Sequence, residues 1–149
     1  MITRALWDTA VFIYAVGGDH PLRSPSRQLL RALAEQRTEA EASVEMVQEF
    51  LHQRARRTGS REEATERARQ VAALCTLHDV TAPDLRLALE LFEGHDRLHA
   101  RDAIHAATAL NRGIGLIVSP DQAFDGITGL RRVPLEQAAA ELSGPATPR

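Results

Sequence analysis

The chain has 149 residues, with 44 % hydrophobic and 26 % charged residues and a formal net charge of −2. This length is typical of one domain that buries roughly 70 % of its unfolded surface. The composition is too polar for a membrane span and too apolar for a disordered chain. The slight negative charge argues against a protein that coats nucleic acid by bulk electrostatics.

All 18 basic residues are arginine, and the single cysteine, Cys75, falls in a helical pattern with no disulfide partner. A disulfide framework and a cysteine-based zinc site are therefore excluded, and a reducing cytoplasm is favoured. Residues 1–18 carry an acidic residue inside their only apolar run, so we expect no signal peptide.

The first half of the chain alternates short apolar runs with helical patterns. We predict, in order, a strand around Leu6 and Trp7, a helix that ends at Gly17 and Gly18, a helix over 24–37 with Ser24 as N-cap and Pro25 at its first position, a strand at 40–43, and a helix from Val44.

The second half continues the alternation. We predict, in order, a helix over 61–77 that opens with a Ser60–Glu63 capping box, a strand at 78–82, helices over 83–94 and 100–113, a buried strand at 114–119, an edge strand at 130–133, and a last helix over 134–142.

Strands that alternate with helices predict a three-layer α/β/α fold with a mostly parallel central sheet. We assign residues 1–142 to this domain and 143–149 to a flexible tail. In such sheets, ligands bind outside the carboxyl ends of the strands, where the strand order reverses.

Four acidic residues from separate segments are expected at this edge of the sheet. Asp8 and Asp121 follow the carboxyl ends of two predicted strands, Asp102 lies in the first turn of a helix that starts there, and Glu49 lies in the helix after the second strand. Convergent carboxylates repel each other unless a cation neutralises them. Oxygen ligands suit Mg²⁺ or Mn²⁺, which activate water for phosphodiester hydrolysis.

Each acid also has an ordinary structural explanation. Asp102 suits a helix dipole, Asp121 suits an N-cap, and Glu49 suits a solvated helix face. Asp8 lies inside an apolar run, where an unpaired carboxylate costs several kcal/mol to bury. It is the placement of all four together that favours a site.

At these residues the sequence resembles the PIN-domain ribonucleases, in particular the VapC-type toxins of bacterial toxin–antitoxin pairs. The matching segments are LWDTAVFIYA with Asp8, SVEMVQE with Glu49 rather than Glu45, and DAIHAATALNRGIGLIVSPDQAFD with Asp102 and Asp121. The resemblance spans about residues 6–134, and its last segment is the most specific.

The resemblance implies an acidic pocket that binds Mg²⁺ or Mn²⁺ and cleaves RNA endonucleolytically. It implies a homodimer, neutralised by a small antitoxin whose tail enters the groove and whose other end binds the operon's DNA. The chain would then contact DNA only through the antitoxin.

The motif match implies a role for each residue. Asp8 and Asp102 are expected as direct metal ligands, Asp121 as a further or water-mediated one, and Glu49 as the acid that positions water or a second ion. Ser119 is expected to hydrogen-bond an acid or a bound water, and Asp125 to be a cap or a supporting residue.

Two features depart from the family. The stretch at 38–43 is unusually acidic for a strand, and the chain lacks the positive net charge that members often carry. Six arginines, Arg54, Arg56, Arg57, Arg61, Arg67 and Arg69, form either a binding face or a solvated surface balanced by Glu62, Glu63 and Glu66.

Other interpretations of the acidic residues are excluded or less favoured. A receiver domain, a haloacid-type phosphatase and a Walker-type nucleotide hydrolase each need a lysine, which the chain lacks. A histidine metal site from His95, His99, Asp102 and His105 is disfavoured by a broken helical register, so His105 is expected to pack behind the pocket. A non-catalytic PIN-like binding module that acts by partner capture is the remaining alternative.

Overall fold

The computed structural model describes residue 2 and residues 4–144, in which five strands alternate with seven helices. The strands are β1 (Arg4–Trp7), β2 (Glu39–Ser43), β3 (Cys75–His78), β4 (Leu116–Val118) and β5 (Arg131–Val133). The helices are α1 (Thr9–Val16), α2 (Arg23–Ala34), α3 (Val44–Thr58), α4 (Arg61–Leu74), α5 (Ala82–Gly94), α6 (Ala100–Asn111) and α7 (Leu135–Ser143), with a short 3-10 helix at Gln122–Phe124.

The five strands form one parallel sheet in the order β3-β2-β1-β4-β5. Leu6 of the central strand β1 is paired with Glu41 of β2 on one side and Ile117 of β4 on the other. The chain runs outward from β1 to β3 and then returns to the other side of β1, so the strand order reverses between β1 and β4. The α/β/α prediction is confirmed, and the site is expected at the carboxyl ends of these two strands.

Two apolar cores cover the two faces of the sheet. One contains Trp7 and Phe12 and is closed by α1, α2, α3, α4 and α7, and the other contains Leu6 and Phe124 and is closed by α5 and α6. Alternate residues of β1 thus face opposite cores, as the pleat of a strand requires. Alanine fills much of both cores, which brings α6 close to the sheet and so positions Asp102.

The acidic strand β2 is accommodated by partners on its neighbours. Glu41 is 5 % exposed, forms an ion pair with Arg4 of β1, and lies 2.8 Å from Nε2 of His78 on β3. Because both neighbours supply a partner to this carboxylate, an acidic sequence still forms an interior strand. The predicted strand at 40–43 and the start of α3 at Val44 are confirmed.

Two boundary predictions around β3 are wrong. Helix α4 ends at Leu74 rather than 77, and the strand covers 75–78 rather than 78–82. Cys75 therefore opens a strand instead of lying in a helix. β3 is an edge strand with Thr76 and Leu77 exposed, so its side chains lack the apolar pattern that marks a buried strand.

The helix termini also differ from prediction. Helix α2 begins at Arg23 with Leu22 as N-cap, so Ser24 and Pro25 lie inside its first turn, where proline is tolerated because no intrahelical N–H is needed. Ser60 caps α4 as expected, but the Glu63 carboxylate pairs with Arg54 instead of completing a capping box.

The final helix α7 extends through Ser143, which was predicted as the first tail residue. Residues 145–149 of the predicted tail lie outside the described residues. Among the residues that are described, none of the helices combines the length and apolar character needed to cross a membrane.

Candidate active site

Asp8 and Ser119 lie side by side where the central strands end. The Asp8 N–H donates to the Val118 carbonyl at 3.0 Å, so β1 and β4 are still paired at this level. Asp8 occupies the N-cap position of α1 without capping it, and its Oδ2 instead accepts a 2.6 Å hydrogen bond from the Ser119 hydroxyl. The hydrogen bond expected between Ser119 and an acid is thus confirmed.

Asp102 and Asp121 approach the same edge from two other elements. Asp102 lies in the first turn of α6 and makes no side-chain hydrogen bond with any described residue. Asp121 is the N-cap of the 3-10 helix, and its Oδ1 accepts from the Ala123 N–H at 2.9 Å. Asp121 is therefore a cap, as the structural explanation held, but this uses only one of its two carboxylate oxygens.

Glu49 lies on α3, and three side chains hold its carboxylate by hydrogen bonds. Its Oε2 accepts from the Thr9 hydroxyl at 2.9 Å and lies 3.1 Å from Nε2 of His105, while Oε1 accepts from Gln53. His105 itself is 1 % exposed, and its Nδ1 lies 3.1 Å from the hydroxyl of Ser43 at the end of β2. The hydrogen-bonded series Ser43–His105–Glu49 thus fixes the orientation of the Glu49 side chain.

The four acids line one groove of about 730 Å³. Its floor and walls come from α1, α3, the start of α6 and the turn after β4. Arg57 and Arg101 also line it, so cationic side chains border the carboxylates. Tyr14 lies on the α1 side of the groove.

The two central aspartates are hard to ionise. Burial raises the pKa of Asp8, more than the Ser119 hydrogen bond and the charge of His105 lower it. Burial, with the negative charge of Asp8 next, raises the pKa of Asp102 to about 6. The surrounding side chains therefore compensate these two carboxylates only in part.

Glu49 and the buried His105 behind it stabilise each other's charged form. Burial alone would raise the pKa of Glu49, but the hydrogen bonds from His105 and Thr9 outweigh it and lower the pKa. Burial likewise opposes protonation of His105, yet its bond to Glu49 and the nearby carboxylates raise the pKa. Glu49 is therefore ionised at neutral pH.

A metal ion has suitable ligand atoms here. One atom each from Asp8, Asp102 and His105 lies within 4.8 Å of the others. Both ring nitrogens of His105 are already engaged, by Ser43 and Glu49. The free ligand atoms are therefore carboxylate oxygens, which suit a hard divalent cation.

The structure brings together all four acids that the sequence selected, with His99 of the histidine alternative beside them, and leaves the other candidate acids outside the groove. Asp125 is directed away to Arg132, with which it forms hydrogen bonds of 2.8 and 3.1 Å. Glu45 and His95 do not line the groove, and His95 bonds to the Leu91 carbonyl.

Sequence reasoning missed the role of Thr9 and, although it expected His105 behind the pocket, it missed the contact of His105 with Glu49. Thr9 and His105 both position Glu49, although each stands close to a selected acid in sequence. His105 lies three residues after Asp102, on the same face of a helix, and this spacing indicates its place near the site but not its partners.

The fold agrees with comparisons to known proteins. A family model described as PIN domain matches residues 5–130. Ribonuclease VapC7 of Mycobacterium tuberculosis (strain ATCC 25618 / H37Rv) is 39 % identical over 129 residues, covering 85 % of this chain and 88 % of that protein.

Two solved structures share the fold at low identity. A chain of a toxin–antitoxin complex from Klebsiella pneumoniae superposes with a TM-score of 0.63 at 20 % identity, over 86 % of this chain and 96 % of that one. A chain of VapBC2 from Rickettsia felis, bound to a DNA fragment from their promoter, gives 0.68 at 17 % identity, over 90 % and 98 %. On the family match and the identity to VapC7, this chain belongs to the PIN-domain family, in the group of VapC ribonucleases.

Proposed function

We propose that the acidic groove cleaves RNA endonucleolytically with a divalent cation, Mg²⁺ or alternatively Mn²⁺, held by Asp8 and Asp102. The observation that carries this proposal is the approach of two poorly compensated carboxylates, whose oxygens and a His105 nitrogen lie within 4.8 Å of each other. Such an arrangement is costly in a protein without a cation, and a divalent ion removes the cost.

The ligand set fits a hard cation. Asp8 is 7 % exposed and is aligned by Ser119, and Asp102 has no competing hydrogen bond among the described residues. When bound, a divalent cation lowers the pKa of a coordinated water and stabilises negative charge on a phosphate. The second oxygen of Asp121 is available for a further or water-mediated contact.

Glu49 is assigned to hold the attacking water or a second ion. Its low pKa keeps it ionised and able to accept a proton, and Thr9 and His105 hold it in one orientation. Arg57 and Arg101 also line the groove and are assigned to contact phosphate oxygens of the RNA.

We also propose a small antitoxin as the partner, with its tail in the acidic groove and its other end on the operon's DNA. The toxin–antitoxin complex from Klebsiella pneumoniae and the promoter-bound VapBC2 from Rickettsia felis support this by their shared fold. Four carboxylates in one groove favour a basic segment of the partner.

A homodimer remains a prediction, and helix α5 offers a surface for it. Leu85, Leu89 and Phe92 follow one another at helical spacing and are 49 %, 59 % and 52 % exposed. Exposed apolar side chains on one face of a helix are typical of a protein interface. Sedimentation equilibrium of the purified protein tests the prediction, which a monomer at micromolar concentration would contradict.

The remaining predictions concern the setting of the protein. A reducing cytoplasm is supported by the lone cysteine, because the chain can form no internal disulfide. We propose one PIN domain that includes helix α7, so that its boundary lies at residue 143 instead of the predicted 142, and the family match at 5–130 falls within it.

The direct test is RNA cleavage by the purified protein, free of antitoxin, with Mg²⁺ or Mn²⁺ and with EDTA. We expect cleavage only with the cation, and a loss of about 10³-fold in rate for Asp8→Ala and Asp102→Asn, because several kcal/mol of charge stabilisation are removed. Asp125→Asn, which changes an acid outside the groove, is the matched control.

Equal cleavage by Asp8→Ala and the parent protein would contradict the proposal, as would no cleavage of any RNA with either cation. The binding-module alternative makes a different prediction in cells. It requires that Asp102→Asn arrests growth as strongly as the parent when expressed without antitoxin, whereas our proposal requires that the arrest is lost.

A further inference from the structure

A second groove, of about 390 Å³, lies along the outer face of helix α2. Its lining includes Arg23, Arg27 and Arg31, which follow at intervals of four residues and which we call the arginine stripe. Asp19 is the only acidic residue among the lining residues, so the groove is net positive on a chain whose net charge is −2. The function proposed above does not involve this second groove.

The arginines of the stripe lack the partners that other arginines of the protein have. Arg54, Arg112 and Arg132 each bind a carboxylate at 2.8 to 3.0 Å. Within the described residues no carboxylate forms a salt bridge with any arginine of the stripe. The guanidinium groups are therefore available to a ligand.

One arginine of the stripe is held in place, and another has a donor without a partner. The buried Nε of Arg23 has no hydrogen-bond partner among the described residues. The Nε of Arg27 donates to the Ala15 carbonyl at 3.1 Å, which fixes the base of its guanidinium and leaves the two terminal nitrogens free of described partners. A held guanidinium loses less conformational entropy when it binds an anion.

A stacked aromatic pair connects this groove to the acidic groove. Tyr14 lines the acidic groove and His20 lines the groove of the stripe, and their rings stack with centroids 4.3 Å apart and an interplanar angle of 22°. Nδ1 of His20 accepts a hydrogen bond from the Leu22 N–H at 3.0 Å, which holds the ring in place. The two grooves thus adjoin across one aromatic step.

This order of groups has the chemistry of a single-stranded nucleic-acid track. Arginines four residues apart on a helix are separated by about 6 Å along its axis, close to the separation of phosphates in an extended strand. Single-strand binding surfaces combine such cations with aromatic rings on which bases stack. An acidic protein segment would bind the arginines but has no bases to stack on the Tyr14–His20 pair.

We propose that the RNA strand that enters the acidic groove continues across the Tyr14–His20 pair and is held by its phosphates on Arg23, Arg27 and Arg31. The proposal rests on the function proposed above, because it takes the acidic groove as the place of cleavage. It adds a substrate-binding surface on helix α2, outside the acidic groove. This surface contributes to RNA affinity and not to the chemical step.

The test measures binding of a fluorescein-labelled, mixed-sequence single-stranded RNA in EDTA, where no cleavage occurs. Arg27→Gln/Arg31→Gln is compared with Arg86→Gln/Arg131→Gln, which removes the same charge from exposed positions on α5 and β5. We expect about tenfold weaker binding for the first pair, from two lost phosphate contacts, and less than twofold for the control. The slope of log K against log salt should fall by about 1.4 for the first pair only.

Two further variants separate binding from folding. Arg27→Lys/Arg31→Lys keeps both charges and should restore most of the affinity. Arg31→Gln changes an exposed side chain that makes no described hydrogen bond, and it should give about half of the effect on the logarithm of the affinity. Equal RNA affinity of the two double variants, or an unchanged salt slope, overturns the proposal and leaves the stripe to a protein partner. Because binding is read without cleavage, a failure of the proposed function is seen separately, as intact RNA in the Mg²⁺ reaction.

Discussion

Asp8 and Asp84 are both buried aspartates, yet their surroundings are opposite. Asp84, in the first turn of α5, is 1 % exposed and accepts hydrogen bonds from Asn111, from the Thr81 N–H and from two nitrogens of Arg112. Asp8 accepts one side-chain bond, from Ser119, and has other acids as its neighbours.

The pKa values of the two aspartates move in opposite directions. Burial acts to raise the pKa of both carboxyls. At Asp84 the bonds from Arg112, Asn111 and Thr81 outweigh burial and hold the pKa well below its usual range, whereas at Asp8 the result is a raised pKa. A buried carboxylate thus stabilises the fold where hydrogen-bond donors surround it, and it destabilises the fold where other acids surround it. The second environment is typical of a cation site.

The largest expected effect is on stability, at the compensated aspartate. Asp84→Ala removes the partner of Arg112 and the link between α5 and α6, and we expect the free energy of unfolding to fall by about 3 kcal/mol. Urea denaturation measures this change. Asp8→Asn is the comparison, and in EDTA it should lose less than 1 kcal/mol because it removes a charge that repels its neighbours.

The contribution of Asp84 should also appear in the pH dependence of the free energy of unfolding. Because the pKa of Asp84 is lower in the folded protein than in the unfolded chain, its stabilisation is present above about pH 4 and is lost as the pH falls through the folded pKa. The difference between the parent and Asp84→Asn should therefore be constant from pH 8 to about 5 and shrink below about 4. A difference that grows on acidification would contradict the assignment.

The next prediction sharpens the comparison at the acidic groove. The pKa of Asp102 is about 6 in the fold, above its unfolded value, so ionisation of Asp102 costs stability as the pH rises through 6. In EDTA at pH 8, Asp102→Asn should be more stable than the parent by about 1–2 kcal/mol, and at pH 4 this advantage should vanish.

A divalent cation should reverse this order. At a concentration 100 times its Kd, Mg²⁺ or Mn²⁺ should stabilise the parent by about 2.7 kcal/mol and Asp102→Asn by less. Thermal melting at pH 8, with and without the cation, reads both results. If the variant is less stable than the parent in EDTA, or gains as much from the cation, Asp102 is not a ligand.

The sequence anticipated the sheet and the convergence of acids because both follow from short-range patterns. Alternating strands and helices require a parallel sheet, and residues at the carboxyl ends of its strands share one edge. That is enough to place Asp8 near Asp121, and the start of α6 near both. Family resemblance then selected Glu49 over Glu45 on the same helix.

Long-range side-chain pairing could not be anticipated in the same way. The edge strand β3 was misplaced because its exposed side chains carry no apolar pattern, and the acidic β2 is explained only by Arg4 and His78 on its neighbours. Similarly, nothing local to His105 indicates that it joins Ser43 to Glu49. These contacts depend on which strands are adjacent, which the order β3-β2-β1-β4-β5 reveals.

The smallest expected effect concerns Asp125, an exposed aspartate that completes the comparison. Its side chain is 54 % exposed and pairs with Arg132, whose Nη1 also donates to the Ser119 carbonyl at 3.2 Å. An exposed ion pair contributes about 0.2–1 kcal/mol, so Asp125→Asn should lower the free energy of unfolding by no more than this and leave the cleavage rate within about twofold. Urea denaturation and the RNA cleavage assay measure the two quantities. A loss of cleavage comparable to that of Asp102→Asn would contradict this prediction. It would indicate that Asp125 supports the site indirectly, because Arg132 contacts Ser119 and Ser119 aligns the carboxylate of Asp8.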